Sequence, residues 1–402
     1  MTQKIDSSHF DVIVIGAGPA GGSAARELAK LGRKVLLIER SQEIGEPNYS
    51  TAGTPRETIE EFNLPDHVIS ATWNRISLAT PRVRTVWTYP ETRGFVFDFA
   101  ALRKYLANEA AKYGAEILVG TSVKEFIEEE KKVTGVRYQG ALGSGEARAE
   151  IIVDATGHHE LANTKLGLNA LSNKYFAEAM EYQMAGLPKE LGETLAFFLG
   201  SEYAPRGYAW IFPMDNNANA KVGIGRLGQR AGGDSLSDSL NKFIATQADL
   251  RKMEPTEIHG GAARCDGGVK THVYKNLVIV GDSAHQINPL AGEGIRHSLK
   301  AGKLAAEAIT HSLQNGLCNQ AVLKKEYARA WNKEFGKKWR FSRMVSEFIY
   351  WKSSDKELDK LVNSLKVLSP EDAFDFLFNY EYGKLIKYPG LAGRLILAKI
   401  FT

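Results

Sequence analysis

Three glycines near the start of the chain have the spacing of a dinucleotide-binding loop. They follow the apolar run 10–15, which is typical of a buried strand, and begin a helical pattern that reaches Leu31. In this setting the first glycine permits a tight turn, the second lets the backbone approach a pyrophosphate, and the third allows close helix–strand packing. The N–H groups at the helix N-terminus then bind the anion. The residues predicted to form this loop are Gly16, Gly18, Pro19, Ala20 and Gly21.

A carboxylate follows this loop where an adenosine ribose is expected. Glu39 ends the apolar run 34–39 and lies 18 residues after Gly21. From there its side chain can accept hydrogen bonds from both ribose hydroxyls. We include its neighbour Arg40 in the predicted cofactor site. Because NAD and FAD share this fingerprint, a second signal is needed to distinguish them.

That second signal is an aspartate after a later strand. Asp282 follows the apolar run 277–280 and precedes a glycine-rich helix start. A flavin has a ribityl chain between its ring and its pyrophosphate, and the aspartate can accept hydrogen bonds from the hydroxyls of that chain. The glycines let backbone N–H groups approach the flavin edge and stabilise charge on the reduced ring. The residues predicted for this segment are Gly281, Asp282, Pro289, Gly292, Gly294 and Ile295.

The elements that position these residues form two domains and a helical tail. Alternating strands and helices predict a Rossmann-like, α/β FAD-binding domain in residues 1–170 and 257–318. Aromatic and β-forming segments predict an inserted antiparallel-sheet substrate domain in residues 171–256. Apolar spacings of three and four predict a long helix after residue 293, and residues 319–402 predict an aromatic-rich helical region. The fold is therefore α/β in its first domain and α+β overall.

Composition and charge exclude several classes of protein. The chain has 402 residues, of which 44% are hydrophobic and 24% charged, which excludes a disordered chain, a collagen and a coiled-coil rod. A net charge of +4 without a dense basic tract argues against nucleic-acid binding. The two cysteines, Cys265 and Cys318, fit neither a disulfide framework nor a metal site. They favour a reducing compartment and no bound metal.

The ends of the chain bear on its location. Residues 1–8 lack the pattern of a secretory signal, and no apolar run has the length of a membrane span. We therefore expect a cytoplasmic protein. Residues 391–401 are a basic and apolar helix candidate. Packing of the aromatic tail on the other domains is the first interpretation, and peripheral membrane contact through the C-terminal helices is the second.

The cofactor segments, together with Asp154-Ala-Thr-Gly157, resemble those of FAD-dependent oxidoreductases built like p-hydroxybenzoate hydroxylase. Their order and spacing match over nearly the whole first domain. The resemblance implies bound FAD and adds Asp154 and Gly157 to the cofactor site. Many relatives have an Asp-Arg pair where this chain has Asp98-Phe99. The arginine contact that the resemblance implies is therefore lost here or supplied by Arg103.

Residues 207–213, Gly-Tyr-Ala-Trp-Ile-Phe-Pro, resemble the YxWxFP motif of geranylgeranyl reductases, which belong to that superfamily. The resemblance implies that these residues line a cavity for a long isoprenoid chain. On a strand, the three aromatic side chains point to one side and form a wall for an apolar polyene. The predicted substrate-binding residues are Tyr208, Trp210, Phe212 and Pro213.

The residues that perform the chemistry are less well defined. Reductases of this family usually carry a cysteine in a Pro-Cys-Gly element, whereas residues 46–50 read Glu-Pro-Asn-Tyr-Ser. Histidine titrates near neutral pH, and among His158, His159 and His285 only the last lies where the resemblance places the flavin. His285 is therefore the catalytic candidate. Cys265 is interpreted as a small buried apolar side chain.

The resemblance implies an FAD-dependent reductase that saturates carbon–carbon double bonds of a geranylgeranyl chain by hydride transfer from reduced flavin. Three alternatives stay open: a flavin monooxygenase or epoxidase, a redox-neutral cyclase of the lycopene cyclase type, and a lipid carrier with structural FAD. One dinucleotide fingerprint lies between a strand and a helix, so the electron donor, NADPH or reduced ferredoxin, is not identified. The expected partners are an isoprenoid or prenyl-lipid substrate and, for the second donor, a redox protein.

Overall fold

Strands and helices alternate through the first half of the chain, and helices dominate its end. The computed structural model describes residues 9–141, 143–169, 172–228, 234–391 and 393, so the helix expected at 391–401 lies almost wholly outside the described residues. The strands are β1 (His9–Ile15), β2 (Val35–Ile38), β3 (Gly53–Pro55), β4 (Ile69–Trp73), β5 (Arg75–Ala79), β6 (Arg84–Thr88), β7 (Gly94–Phe97), β8 (Glu116–Leu118), β9 (Thr121–Glu129), β10 (Lys132–Gly140), β11 (Gly143–Asp154), β12 (Phe176–Ala185), β13 (Thr194–Leu199), β14 (Gly207–Met214), β15 (Asn219–Leu227), β16 (Glu254–Arg264), β17 (Val273–Tyr274) and β18 (Leu277–Ile279). The α-helices are α1 (Pro19–Lys30), α2 (Glu57–Phe62), α3 (Phe99–Lys112), α4 (Leu161–Leu166), α5 (Leu236–Thr246), α6 (Ile295–Gln314), α7 (Gln320–Leu323), α8 (Arg329–Glu347), α9 (Asp355–Ser364) and α10 (Pro370–Phe374).

The first sheet carries both predicted cofactor segments. Its central strands are parallel and run in the order β18-β11-β1-β2-β8, and β17, β10 and β9 extend it. Strands β1 and β2 are apolar runs because both faces of the sheet are covered, one by α1, α3 and α6 and the other by residues of β10, β11 and α4. Helices α1 and α6 approach each other closely at Gly302, where a methyl group would lie 2.4 Å from the carbonyl oxygen of Ala20. The predicted α/β architecture is confirmed.

The second sheet draws on more of the chain than the sequence indicated. Its order is β16-β12-β15-β14-β13-β5-β6, and its strands are antiparallel except for the parallel pair β13 and β5. We expected residues 171–256 to form this sheet alone. Instead β5 and β6 precede that range, and β16, most of which was expected in the FAD-binding domain, pairs with β12. A smaller sheet, β3-β7-β4, lies beside it. Which strands belong to the second sheet depends on pairing between segments that are distant in sequence. Local sequence patterns do not indicate such pairing.

The C-terminal helices pack on the edge of the second sheet. From β6, Thr85 donates a hydrogen bond to the carbonyl oxygen of Val362, and Trp87 donates to that of Leu368. Phe374 and its neighbours join the same apolar cluster. In the described part of the tail, packing on the other domains is therefore observed. Among all the described residues, no helix combines the length and the hydropathy that crossing a membrane requires.

Candidate active site

The first predicted loop lies at the end of β1. Gly16 has a φ of 100°, and a methyl group there would lie 2.4 Å from the carbonyl oxygen of Ala155. A methyl group at Gly21 would lie 1.9 Å from the carbonyl oxygen of Gly16, so this glycine lets α1 start directly beside the turn. Gly18 caps α1 without a side-chain hydrogen bond and has open space beside its Cα. The N-terminus of α1 can therefore bind an anion.

Glu39 and Arg103 brace this loop. The Glu39 carboxylate accepts hydrogen bonds from the N–H groups of Ala17 at 2.7 Å and Ser41 at 2.9 Å. Arg103 donates to the carbonyl oxygen of Ala17 at 3.3 Å, and its guanidinium lies 3.9 Å from the Glu39 carboxylate. Each carboxylate oxygen keeps a lone pair after one hydrogen bond, so Glu39 can still accept hydrogen bonds from ribose hydroxyls. Arg40 is exposed and does not line the cavity described below.

Asp154 is engaged within the protein. Its carboxylate accepts hydrogen bonds from the N–H groups of Thr156 and Ala162 and from the hydroxyls of Thr156 and Ser283. The side chain is fully buried, and burial raises its pKa. This carboxylate therefore ties β11 to α4 and to the loop after β18, and its expected contact with the cofactor stays a prediction. Gly157, by contrast, lines the cavity.

Asp282 lies at the cavity wall in the second predicted segment. Gly281 has a φ of 67°, and a methyl group there would lie 2.7 Å from the Cβ of Ala20, so this segment sits close to α1. Burial raises the pKa of Asp282 to about 6, although the charge of His285 acts in the other direction. No described residue donates a hydrogen bond to the carboxylate. A carboxylate that receives no hydrogen bond from the protein can accept hydrogen bonds from the hydroxyls of a ribityl chain.

The same segment leads into α6 and brings a second helix N-terminus to the cavity. Gly294 caps α6 without a side-chain hydrogen bond. The N-termini of α1 and α6 therefore both lie at the cavity wall, where their backbone N–H groups favour negative charge. Of the residues predicted for this segment, all but Gly281 line the cavity, namely Asp282, Pro289, Gly292, Gly294 and Ile295.

His285, the catalytic candidate, does not line the cavity. Its Nδ1 lies 2.8 Å from a carboxylate oxygen of Asp266, and its Nε2 lies 3.2 Å from Oε2 of Glu160. Burial lowers the pKa of His285, but the hydrogen bonds to the two carboxylates outweigh burial and raise the pKa to about 9. Arg264 donates to Glu160 at 2.6 Å. Both ring nitrogens are therefore engaged in a buried ion cluster that holds the segment after β18, and a catalytic role of His285 stays a prediction.

A cavity of about 600 Å³ joins the cofactor segments to the second sheet and the C-terminal helices. Tyr208, Trp210 and Phe212 line it from β14, as strand alternation predicts. Pro213 belongs to the opposite face of the strand and does not line the cavity, and its expected contact with substrate stays a prediction. The C-terminal helices complete the apolar lining with Leu361, Leu365, Phe376, Leu377 and Phe378.

The aromatic wall has a fixed orientation. A methyl group at Gly223 would lie 2.2 Å from the indole ring of Trp210, so a glycine on the neighbouring strand makes room for the ring. The indole N–H donates to Oε2 of Glu181 at 3.0 Å. Tyr208 donates to the carbonyl oxygen of Ala291 at 2.6 Å, which links the wall to the cofactor segment after β18.

These features fit FAD. The open N-terminus of α1 suits the pyrophosphate, and the cavity wall at Asp282 offers an unsatisfied acceptor for the ribityl hydroxyls. The close contacts at Gly16 and Gly281 show why side chains are excluded from both turns. The cavity continues beyond these turns to the aromatic wall.

Comparison with known proteins identifies the family. Residues 11–171 match the FAD dependent oxidoreductase family, and residues 176–263 match the geranylgeranyl reductase catalytic domain. Digeranylgeranylglycerophospholipid reductase 2 of Methanococcoides burtonii is 33% identical over 89% of this chain and 88% of its own length. The chain belongs to the geranylgeranyl reductase family. The digeranylgeranylglycerophospholipid reductase of Methanosarcina acetivorans is also 33% identical, over 92% of both chains.

A solved structure supports the assignment to geranylgeranyl reductases. A geranylgeranyl bacteriochlorophyll reductase-like protein from Thermoplasma acidophilum superposes with a TM-score of 0.86 at 25% identity. It covers 94% of this chain, which covers 99% of its length. The protein is therefore an FAD-dependent oxidoreductase of the geranylgeranyl reductase type, as its motifs predicted. The monooxygenase, cyclase and carrier alternatives are not favoured by these relatives.

Both departures from the usual reductase motifs lie at the cavity. Tyr49 and Ser50, in the segment where reductases usually carry a cysteine, line it, and so does Phe99. Cys265 is buried, as expected, but its place at the cavity wall was not predicted. Burial raises the pKa of its thiol to about 12, so the thiol keeps its proton at neutral pH.

Among the polar residues that line the cavity of this reductase and were not predicted from the sequence are Glu181 and His259. They lie directly opposite each other on β12 and β16. The available signal was a charged or titratable residue in the middle of each predicted strand, two positions from the small residues Ala179 and Gly261. Without the pairing of the two strands, each residue alone is typical of a solvent-facing position.

Proposed function

We propose that this reductase saturates carbon–carbon double bonds in the geranylgeranyl chains of a glycerophospholipid. The observation that carries the proposal is the cavity, which continues from the cofactor segments along the aromatic wall to the C-terminal helices. A flexible polyene gains free energy when it is buried against such a wall. The two relatives that match nearly the whole chain are named for a digeranylgeranyl glycerophospholipid.

Each part of the site has a task in this proposal. Bound FAD, once reduced, supplies the hydride. The N-terminus of α1 binds the pyrophosphate. Glu39 accepts hydrogen bonds from the ribose hydroxyls, and Asp282 accepts hydrogen bonds from the ribityl hydroxyls. The N-terminus of α6 favours negative charge near the cavity. Tyr208, Trp210 and Phe212 orient the chain of the lipid and exclude water, so the double bond is held in a reactive position.

The electron donor in this proposal comes from outside the chain and is NADPH or a reduced protein such as ferredoxin. Gly223, Gly225 and Gly228 repeat the glycine spacing of the first loop. They lie within and just after β15 rather than between a strand and a helix, and Gly223 makes room for Trp210. This segment therefore does not supply a second nucleotide site, and either donor would bind transiently.

Peripheral contact with a membrane is part of the same proposal, because a lipid with long chains resides in a bilayer. Val86, Val367 and Ile386 are 48%, 61% and 84% exposed. All three belong to β6 or to the C-terminal region that packs on it. Lys366 and Lys387 stand next to two of them in the sequence. Exposed apolar side chains flanked by lysines suit the headgroup region of a bilayer.

An anaerobic experiment tests the reaction. The FAD-loaded protein is reduced with dithionite and mixed with a digeranylgeranyl glycerophospholipid, while the flavin spectrum and the mass of the extracted lipid are followed. We expect flavin reoxidation with a gain of two hydrogens for each bond reduced, and no reoxidation with a fully saturated analogue. A gain of oxygen only after air is admitted would indicate a monooxygenase. No reaction under either condition would overturn the proposed substrate.

A further inference from the structure

Saturation of a double bond needs a proton as well as a hydride, and the cavity contains a group that can provide it. Resting on the proposed function, we propose that Glu181 donates this proton and that His259 returns a proton to Glu181 from solvent. The two residues, with Glu257 at the surface, form what we call the proton relay.

Glu181 is a buried carboxyl group with one oxygen free. Its side chain is 6% exposed and lines the cavity. Oε2 accepts hydrogen bonds from the hydroxyl of Thr51 and the indole N–H of Trp210. Oε1 is buried and has no hydrogen-bond partner among the described residues. A buried polar atom without a partner is costly, so it marks a place where a ligand or a transferred proton is accommodated.

His259 completes the connection to solvent. It lies directly opposite Glu181 on the neighbouring strand, where side chains are about 5 Å apart at their Cβ atoms. Its Nδ1 is also buried without a partner among the described residues, whereas its Nε2 lies 3.0 Å from Oε2 of Glu257. The Glu257 side chain is 57% exposed. The relay therefore begins in water, crosses one imidazole ring and ends at the cavity.

One segment of the chain links the relay to the cofactor loop. Arg103 donates to the carbonyl oxygens of Ala17, in the first glycine loop, and of Pro47. Four residues after Pro47, Thr51 donates to Glu181. Glu181 also shares the cavity wall with Asp282 of the second cofactor segment. The proposed proton donor therefore belongs to the same cavity as the cofactor segments.

Several groups around Glu181 set its electrostatic environment. Lys221 on β15 is 5% exposed and donates to the carbonyl oxygen of Ser50 at 2.6 Å. Burial lowers the pKa of Lys221, while the charge of Glu181 raises it. The titratable and charged groups on the elements packed around Glu181 include Tyr49 from the segment before β3, Asp98 at the start of α3, Asp215 after β14, Lys221 and Arg226 from β15, and Glu257 and His259 from β16.

The proposed step balances in atoms and charge. The alkene gains a hydride, with its electron pair, at one carbon and a proton at the other. As the new C–H bond forms, the O–H bond of Glu181 breaks and leaves a carboxylate. His259 then transfers a proton to Glu181 and takes one from solvent through Glu257. One proton enters the cavity for each double bond reduced.

The first test replaces Glu181 by glutamine. Glu181→Gln keeps an oxygen that accepts from Thr51 and Trp210, but it cannot act as an acid. We expect reoxidation of the reduced flavin by the lipid to slow by about 100-fold or more, which is typical of a lost general acid. Binding of FAD and lipid should change little. The matched control is Glu178→Gln on the same strand, since Glu178 does not line the cavity and lies 3.9 Å from Arg226.

The outcomes separate the relay from the proposed function. If the wild-type flavin is not reoxidised by the lipid, the proposed function fails, and the relay fails with it as a step of that reaction. If the wild-type flavin is reoxidised and that of Glu181→Gln is reoxidised equally fast, only the relay is overturned. A loss of FAD or lipid binding that accounts for the whole loss of rate would show that Glu181 has a structural role.

The second test uses His259→Gln. We expect the first turnover to be near the wild-type rate, because His259 is needed only after Glu181 has given up a proton, and later turnovers to slow by about tenfold or more. A merely structural defect would slow the first turnover equally and would overturn this part of the relay.

Discussion

Asp282 is a half-buried carboxylate that receives no hydrogen bond from the described residues. Replacing it with alanine should therefore weaken flavin binding, because a charge-assisted hydrogen bond contributes about 1.5–3 kcal/mol. Titration of flavin-free protein with FAD measures the change. The exposed carboxylate Asp249 provides a control, and Asp249→Ala should bind flavin normally. Unchanged affinity in Asp282→Ala would show that the ribityl chain lies elsewhere.

The raised pKa of Asp282 also predicts a pH dependence. Burial raises the pKa of the carboxyl group to about 6, and the charged form is the better acceptor for the hydroxyls of the cofactor. Flavin affinity should therefore fall as the pH drops through about 6. In Asp282→Asn the affinity should be lower and nearly constant from pH 5 to pH 8, a range set by that pKa. Parallel pH profiles in the two proteins would contradict this assignment.

His285 should make stability depend on pH in a different range. Its pKa is raised to about 9 in the folded protein, against about 6.5 when unfolded. The stabilisation is fully present below about 6.5 and is lost as pH rises through about 9. The wild type should thus be more stable than His285→Asn by on the order of 2 kcal/mol at pH 6, with a smaller margin at pH 10. Urea unfolding of both proteins at the two pH values measures the difference, and a margin that grows with pH would be contrary to the ion cluster.

At the scale of elements, the contact between α1 and α6 positions the cofactor loop. A methyl group at Gly302 would lie 2.4 Å from the carbonyl oxygen of Ala20 and 2.8 Å from the backbone nitrogen of Ala24. Gly302→Ala should therefore destabilise the protein by roughly 1–3 kcal/mol, as overpacking does, and should weaken FAD binding. Gly336→Ala in α8 is the matched control, since its nearest neighbour atom would lie at 3.5 Å. That variant should be neutral or slightly more stable, because alanine favours a helix. Equal effects of the two substitutions on unfolding would contradict the prediction.

Elements whose residues interact locally could be predicted from the sequence, and those that depend on distant pairing could not. The loop from Gly16 to Gly21 was identified because strand, turn and helix are consecutive. The membership of β5 and β6 in the second sheet was not predicted, because β5 pairs with β13, which lies more than 100 residues later in the chain. Contacts between distant segments also determine the surroundings of single residues, and the sequence does not report them. His285 contacts Glu160 and Asp266. Glu181 can be recognised as a candidate site residue only when its neighbours on β14 and β16 are known.

At the scale of the whole molecule, the cavity is shared by three parts of the chain. The first sheet contributes the cofactor segments, the second sheet contributes the aromatic wall, and the tail contributes the remaining apolar lining. The tail is also joined to the cofactor segment by Tyr380, which donates to Glu293 at 2.5 Å, and by Arg296, which donates to the carbonyl oxygen of Phe378 at 2.6 Å. The tail therefore helps to enclose the cavity that joins the cofactor segments to the aromatic wall.

This arrangement predicts how the protein meets a bilayer. Val86, Val367 and Ile386 are exposed around the tail, and burial of each in the headgroup boundary is worth on the order of 1–2 kcal/mol. The variant with aspartate at all three positions should sediment with anionic phospholipid vesicles at least about tenfold less than the wild type.

Leu317→Asp, in the loop after α6, is the control, since Leu317 is 47% exposed but lies in a loop that packs on the first sheet. The triple variant should still reduce lipid dissolved in detergent, because none of the three side chains lines the cavity. Vesicle binding that is unchanged in the triple variant, or lost equally in the control, would place the membrane contact on another surface.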